Sequence, residues 1–185
     1  MLLINKIKHE TEGLKFLCRN LLASRNIQPI PEANFGDFIL RGLSHPHISK
    51  LDALHRLLRN GRAINCWRKM LLRMKGCSLC GVATEKNGEL LGFNLYYFRP
   101  QEMEHGIIHE AFVGVIPQAR GRGIATALKM HLAKHFAFNG LKGISAQIRI
   151  DNGPSLYAAK RAGFQIMKNK DGLLQLYSDL TNLRF

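Results

Sequence analysis

Long apolar runs are absent: no stretch of the 185 residues approaches the ~18 consecutive apolar side chains of a membrane-spanning helix. Met1-Leu-Leu-Ile4 passes at once into polar and charged residues, too short a run for a secretory leader, so a cytoplasmic protein is expected. Acid is scarce: 13 Asp plus Glu face 27 Lys plus Arg, a formal net charge of +14, which excludes an acidic solvating tail and invites anionic partners. Cysteine is too sparse, at Cys18, Cys66, Cys77 and Cys80, for a disulfide framework in a leaderless chain of this size. No internal repeat or low-complexity tract is present. The length suits one domain, 1–185, and is too short for two ordinary ones.

The charge is most one-sided over residues 41–75, where Arg41, Lys50, Arg56, Arg59, Arg62, Arg68, Lys69, Arg73 and Lys75 oppose only Asp52. Such a face suits RNA, an acidic carrier protein, an anionic substrate, or plain solvation. No aromatic-rich nucleic-acid signature accompanies it, so a nucleic-acid partner is not favoured. Cys77-Ser-Leu-Cys80 has metal or redox spacing, but it falls where a strand is expected to open. Residues three apart on a strand face opposite sides, so structural thiols and no metal site are expected. His131 and His135 lie four apart on a helical pattern without a third ligand, and are read as helix-surface or half-buried residues. Trp67, the only tryptophan, is either a core aromatic or part of a lid.

Periodicity predicts a strand over residues 2–8 and an amphipathic helix over 11–23 built on Leu14, Leu17, Cys18, Leu21 and Leu22. Residues 26–48, with Pro29, Pro31, Gly36, Gly42 and Pro46, read as a long irregular segment. Ser49-Lys-Leu-Asp52 suggests a capping-box start for a second helix carrying Leu51, Leu54, Leu57 and Leu58, and a further helical piece is expected over 64–74. A hairpin of 78–85 and 89–98 turns at Asn87-Gly88. Then come a strand over 106–115, a helix from Ile124 to Asn139-Gly140, a strand over 143–150, a helix over 154–162 and closing strands over 164–168 and 173–180. The strand, helix, strand unit in the middle demands a parallel pair. The fold class is therefore α/β of the α+β type: a mixed, mostly antiparallel sheet of about six to seven strands flanked by helices.

Val113-Gly-Val-Ile-Pro-Gln-Ala-Arg-Gly-Arg-Gly-Ile-Ala125 carries the chemistry. An apolar strand runs into a helix through alternating arginines and glycines. Gly121 and Gly123 free the backbone, the first helical turn offers unpaired N–H groups and the positive dipole end, and Arg120 and Arg122 add two permanent charges: an anion cradle. A P-loop needs a Gly-Lys-Ser/Thr ending that is missing, and a dinucleotide fingerprint needs a third glycine where Thr126 stands. Arg120-Gly-Arg-Gly-Ile-Ala125 instead resembles the coenzyme A signature Arg/Gln-x-x-Gly-x-Gly/Ala of the GNAT superfamily, the Gcn5-related N-acetyltransferases. Downstream, Asn152, Tyr157 and Gly163-Phe164 are spaced like that family's second signature, and the resemblance covers about residues 78–178.

The resemblance implies one GNAT acyltransferase domain with a coenzyme A-binding core over 106–164 and an acceptor side over 26–75. It implies acetyl-CoA as co-substrate and a primary amine, on a small molecule or peptide, as acceptor. Val113 and Val115 would pair with the pantetheine arm through their backbone, and Gly121, Arg122, Gly123, Ile124, Ala125 and Thr126 would hold the pyrophosphate. Tyr157 resembles the family tyrosine that protonates the departing sulfur, or it only packs on the arm; a phenol of pKa ~10 is protonated at neutral pH. Asn152 either hydrogen-bonds near the arm or simply caps a helix. The base is His109, Glu110 or water: strict alternation puts His109 on one face with Ala111, Val113 and Val115, and Glu110 on the other, unless a bulge intervenes. Where bacterial ribosomal-protein acetyltransferases of the superfamily carry a glutamate, Gln147 stands here and cannot act as a base, which speaks against a ribosomal-protein acceptor. The alternatives are a non-catalytic acetyl-CoA-binding or RNA-associated protein on the same fold, or a transferase using a longer acyl donor.

Overall fold

In the computed structural model, which describes residues 2–183 and side chains from residue 10 onward, the chain opens in a helix rather than a strand. Helix α1 spans Leu2–Ala23. No proline or turn pair separates residues 2–8 from the amphipathic stretch behind them, so a helix once nucleated propagates backward through both. Gly13 lets α1 approach its neighbour: a Cβ there would lie 2.0 Å from the indole nitrogen of Trp67. Trp67 is thereby assigned to the packing between helices. Buried Asn20 ties α1 to the sheet, its side-chain oxygen accepting from the Phe98 N–H at 2.6 Å.

The segment expected to be irregular contributes two short strands, β1 Ala33–Asn34 and β2 Ile39–Gly42. They replace the lost first strand and bring the sheet to eight strands. Helix α2, Ile48–Leu58, follows a 3-10 turn and starts without the expected capping box. Ser49 and Asp52 lie inside it, and the Asp52 carboxylate accepts from the Ile64 N–H at 2.9 Å and from Lys69 at 2.8 Å, fastening α2 to α3. Helix α3 spans Cys66–Leu79, capped by Asn65, which accepts from the Arg68 N–H. It runs past residue 74 and takes Ser78 and Leu79 out of the expected strand. Cys77 therefore lies exposed in the last helical turn and Cys80 lies buried at the head of β3, Cys80–Thr84; all four cysteines are free.

Strands β4, Leu90–Tyr97, and β5, Ile107–Val115, are joined through the short helix α4, Pro100–Met103. Then follow α5, Ile124–Phe138; β6, Gly143–Arg149; α6, Gly153–Arg161; and the hairpin β7, Gln165–Lys170, with β8, Leu173–Asp179. The sheet order is β1-β2-β3-β4-β5-β6-β8-β7, and only β5 and β6 run parallel. Leu128, Leu132 and Phe136 of α5 are fully buried on one face, and Leu51 and Leu54 of α2 pack with Val82, Phe93 and Leu95 on the other. Among the described residues no helix is long and apolar enough to cross a membrane.

Candidate active site

Two interruptions in the sheet shape the site. The parallel ladder between β5 and β6 covers only Ile107 to Glu110 against Gly143 to Ala146 and then stops. From Ala111 to Val115, β5 keeps β4 on one side and has no strand on the other, leaving alternate backbone N–H and C=O groups open along a gap. The second interruption is a bulge between β4 and β5: Leu95 pairs with Phe112 and Tyr96 with Glu110, so Ala111 is the extra residue. This bulge corrects the strict alternation expected for the strand. Glu110, Val113 and Val115 face α5, whereas His109, Ala111 and Phe112 face the other way.

The gap leads to the cradle. Gly121 and Gly123 have φ of 81° and 76°, and a Cβ on either would meet nothing within 4 Å, so backbone conformation rather than space requires glycine here. Gly123 is the N-cap of α5 and offers no side-chain acceptor. The N–H of Arg120 donates to Pro117, but those of Gly121, Arg122 and Gly123 have no backbone acceptor among the described residues. Those of Ile124, Ala125 and Thr126 open the helix and have no intrahelical partner. Six consecutive N–H groups at one helix start are thus without a backbone acceptor among the described residues. The arginines differ. The Arg122 guanidinium is tied down, donating to Glu85 at 2.8 Å and to the Asp37 carbonyl at 3.0 Å. Arg120 is exposed, and its guanidinium makes no bond to another described residue.

Both base candidates are buried and fully engaged. One Glu110 oxygen pairs with Lys129, which lies wholly buried with its ammonium 5.0 Å from the Phe164 ring centre; the other accepts from Asn94 at 2.9 Å and Tyr96 at 3.1 Å. Burial, with the Glu110 charge beside it, pushes the Tyr96 phenol well above the ordinary range. Arg99 donates to His109 Nε2 at 2.6 Å, so the other imidazole nitrogen carries the proton and donates to Ser145 at 2.7 Å. Burial, then Arg99 and Arg68, lower the His109 pKa to about 3. Arg99 also reaches Gln147 at 3.1 Å.

Asn152 caps α6, accepting from the Ser155 N–H at 3.3 Å. Tyr157 projects from α6 with 64% of its surface exposed, its phenol oxygen accepting from Arg161 at 3.4 Å; no hydrogen bond joins it to His109 or Glu110. His131 donates to the Pro31 carbonyl at 2.8 Å, while buried His135 contacts Asn139. Sequence reasoning missed Lys129, Arg99 and Ser145. A lysine beside Leu128 on an otherwise apolar helix face was a weak signal for the first; nothing local marked the others.

A split parallel pair opening onto a glycine-lined helix start suits an extended ligand with an anionic end. The family model for the acetyltransferase (GNAT) family matches residues 57–164, and the chain belongs to that family. Mycothiol acetyltransferase of Paenarthrobacter aurescens (strain TC1) is 33% identical over 84 residues, 45% of this chain and 26% of that one. L-2,4-diaminobutyric acid acetyltransferase of Nocardia farcinica (strain IFM 10152) is 33% identical over 91 residues, 47% of this chain and 46% of that protein. The chain thus spans a quarter to a half of the length of these relatives. Among solved structures, yncA of Salmonella typhimurium, held with its cofactor acetyl-CoA, superposes with a TM-score of 0.64 at 18% identity over 81% of this chain and 98% of that one.

Proposed function

We propose that this chain is an N-acetyltransferase that moves the acetyl group of acetyl-CoA onto a primary amine of a small molecule. The observation that carries the reading is that the open β5 edge, residues 111–115, is followed by a helix start, residues 121–126, whose six N–H donors have no backbone acceptor among the described residues. An extended amide-bearing arm suits the first and a pyrophosphate the second, by strand addition and helix-terminus anion binding. The relatives named for mycothiol and for L-2,4-diaminobutyric acid support a small-molecule acceptor.

Acetyl-CoA, once bound, supplies the acyl group; the chain's residues hold and orient it. Val113 and Val115 offer backbone groups to the arm, and an N–H on that strand would polarise the acyl carbonyl. Arg120 is the guanidinium free to meet phosphate, whereas Arg122 braces the cradle against Glu85. Tyr157, on the helix capped by Asn152, is the group to protonate the leaving sulfur. At a pKa of about 3, with Nε2 already accepting from Arg99, His109 is a poor base, and both oxygens of Glu110 are engaged. Water therefore carries the amine proton away, and these two residues fix the strand.

The test is calorimetric titration of acetyl-CoA together with thiol release over an amine panel. Micromolar binding, turnover above hydrolysis and a tenfold or greater affinity loss in Arg120→Glu are expected. Absence of both binding and release would sink the reading. His109→Gln should cost less than about tenfold in kcat, against the ~100-fold or more that removes a true general base, while Tyr157→Phe should cost more than His109→Gln.

A further inference from the structure

Two guanidinium groups on the side of the sheet away from α5, those of Arg68 and Arg99, are poorly matched with anions: Arg68 has no salt bridge among the described residues and Arg99 only a long one. Arg99, just past β4, has a side chain only 27% exposed and gives its Nη2 hydrogens to two neutral acceptors, His109 and Gln147. Its salt bridge to Glu102 is long, 3.9 Å from Nη1 to Oε1, and the other Glu102 oxygen is buried without a hydrogen-bond partner among the described residues. Arg68, in the first turn of α3, is half-buried with its guanidinium stacked 5.4 Å from the Tyr97 ring centre and 6.0 Å from that of Phe16. No salt bridge is formed by Arg68 among the described residues, and the acid of the α2–α3 pair, Asp52, is taken by Lys69 and Arg56. Removing cations from water without fully pairing them is unfavourable.

Their position is specific. Arg99 bridges His109, one row before the β5–β6 ladder ends, and Gln147, the first β6 residue beyond it. Arg68 lies close enough to depress the same imidazole. Two guanidinium groups with unused donors thus stand over the point where the strands part, on the face opposite the cradle helix. The aromatic faces of Tyr97 and Phe16 form the apolar wall beside them, the two rings meeting edge to face at 5.5 Å.

We infer that the acceptor is an amine that also carries a carboxylate, an amino acid or its close analogue, and that Arg68 and Arg99 hold that carboxylate over the parting of β5 and β6. This rests on the acetyltransferase reading above and adds the acceptor's chemical class. Arg suits the task because its planar fork meets a carboxylate through two parallel hydrogen bonds. The site then selects by charge: an amine lacking the carboxylate leaves half-buried Arg68 without an anion and Arg99 with only the long contact to Glu102.

The experiment uses matched amine pairs that differ only in the carboxylate, 2,4-diaminobutyrate against 1,3-diaminopropane and lysine against cadaverine, with thiol release from acetyl-CoA as readout. The carboxylate member should be preferred by about 10- to 100-fold in kcat/KM, mainly through KM. Arg68→Gln should abolish the preference while leaving acetyl-CoA affinity unchanged, and Arg68→Lys should restore part of it. Equal turnover of both members, or an unaltered preference in Arg68→Gln, overturns the inference. If no amine turns over and acetyl-CoA does not bind, the acetyltransferase reading fails by itself. Calorimetric binding of the same pairs to the full chain then decides the carboxylate site: selective binding lost in Arg68→Gln supports it, and no selective binding removes it.

Discussion

Lys129 is the residue whose environment departs furthest from its chemistry, since its whole side chain is buried and its charge is met by a single carboxylate. Glu110 in turn depends on Lys129, because the amide of Asn94 and the phenol of Tyr96 satisfy only its second oxygen. Removing one partner of such a pair strands the other charge in the core, which costs about 3–5 kcal/mol. Lys129→Met should therefore lower the urea midpoint sharply, whereas the double variant Lys129→Met/Glu110→Gln should recover much of the loss, since a neutral amide can keep the bonds to Asn94 and Tyr96. Equal losses in the single and double variants would show that packing against Phe164, and not the charge, is what Lys129 supplies. Because the pair ties the cradle helix to β5 at the last row of the ladder, the double variant also tests whether charge is needed to set the gap.

At the scale of elements, glycines decide where helices meet and start. Gly13 sits inside α1, where alanine would ordinarily be favoured by ~1 kcal/mol, yet its missing Cβ is the space that Trp67 occupies. Gly13→Ala should thus destabilise by roughly 1–3 kcal/mol and shift the emission of the lone tryptophan; a more stable variant with unchanged fluorescence would contradict the packing. Gly123→Ala meets no neighbour but must hold φ near 76°, at about 1–2 kcal/mol, whereas Gly153→Ala, unhindered and not at positive φ, should be near neutral. Melting temperatures of the two variants make the comparison. The cradle was legible because its signal is local: glycines at fixed spacing between an apolar strand and an apolar helical stripe. Residues 2–8 were misread because Leu2, Leu3, Ile4 and Ile7 fit a strand or a helix, and only continuity with α1 decides. Strands β1 and β2 escaped because Pro29, Pro31 and Gly36 dominate a segment whose pairing partner, β3, lies some forty residues away. The bulge at Ala111 escaped for a related reason: it belongs to the register between two strands and to neither alone.

Over the whole molecule the buried histidines set the response to acid. Burial, with Arg99 and Arg68 nearby, brings the His109 pKa to about 3, and burial, with His131 nearby, brings that of His135 to about 4; His55 moves the same way, again chiefly through burial. Unfolded, each titrates near 6.5. Above that value both states carry neutral imidazoles and stability is flat. Between about 6.5 and 4 the unfolded chain binds protons that the folded chain refuses, so stability falls as pH falls, by ~1.4 kcal/mol per pH unit for each histidine once well below 6.5. For His109 and His135 together the loss reaches about 4 kcal/mol by pH 5, a large share of a typical domain's stability. The depressed pKa of Asp52 adds nothing in this window, since its contribution is lost only below its unfolded value of about 3.8. Growing repulsion within a chain already at +14 acts in the same direction but is screened by salt, which separates the two effects. Urea midpoints measured between pH 7.5 and 5 at high salt should therefore still fall steeply for the native sequence, and the slope should flatten in His109→Gln/His135→Gln even though that variant starts from lower stability. An unchanged slope in the double variant would mean that neither imidazole is held neutral in the core.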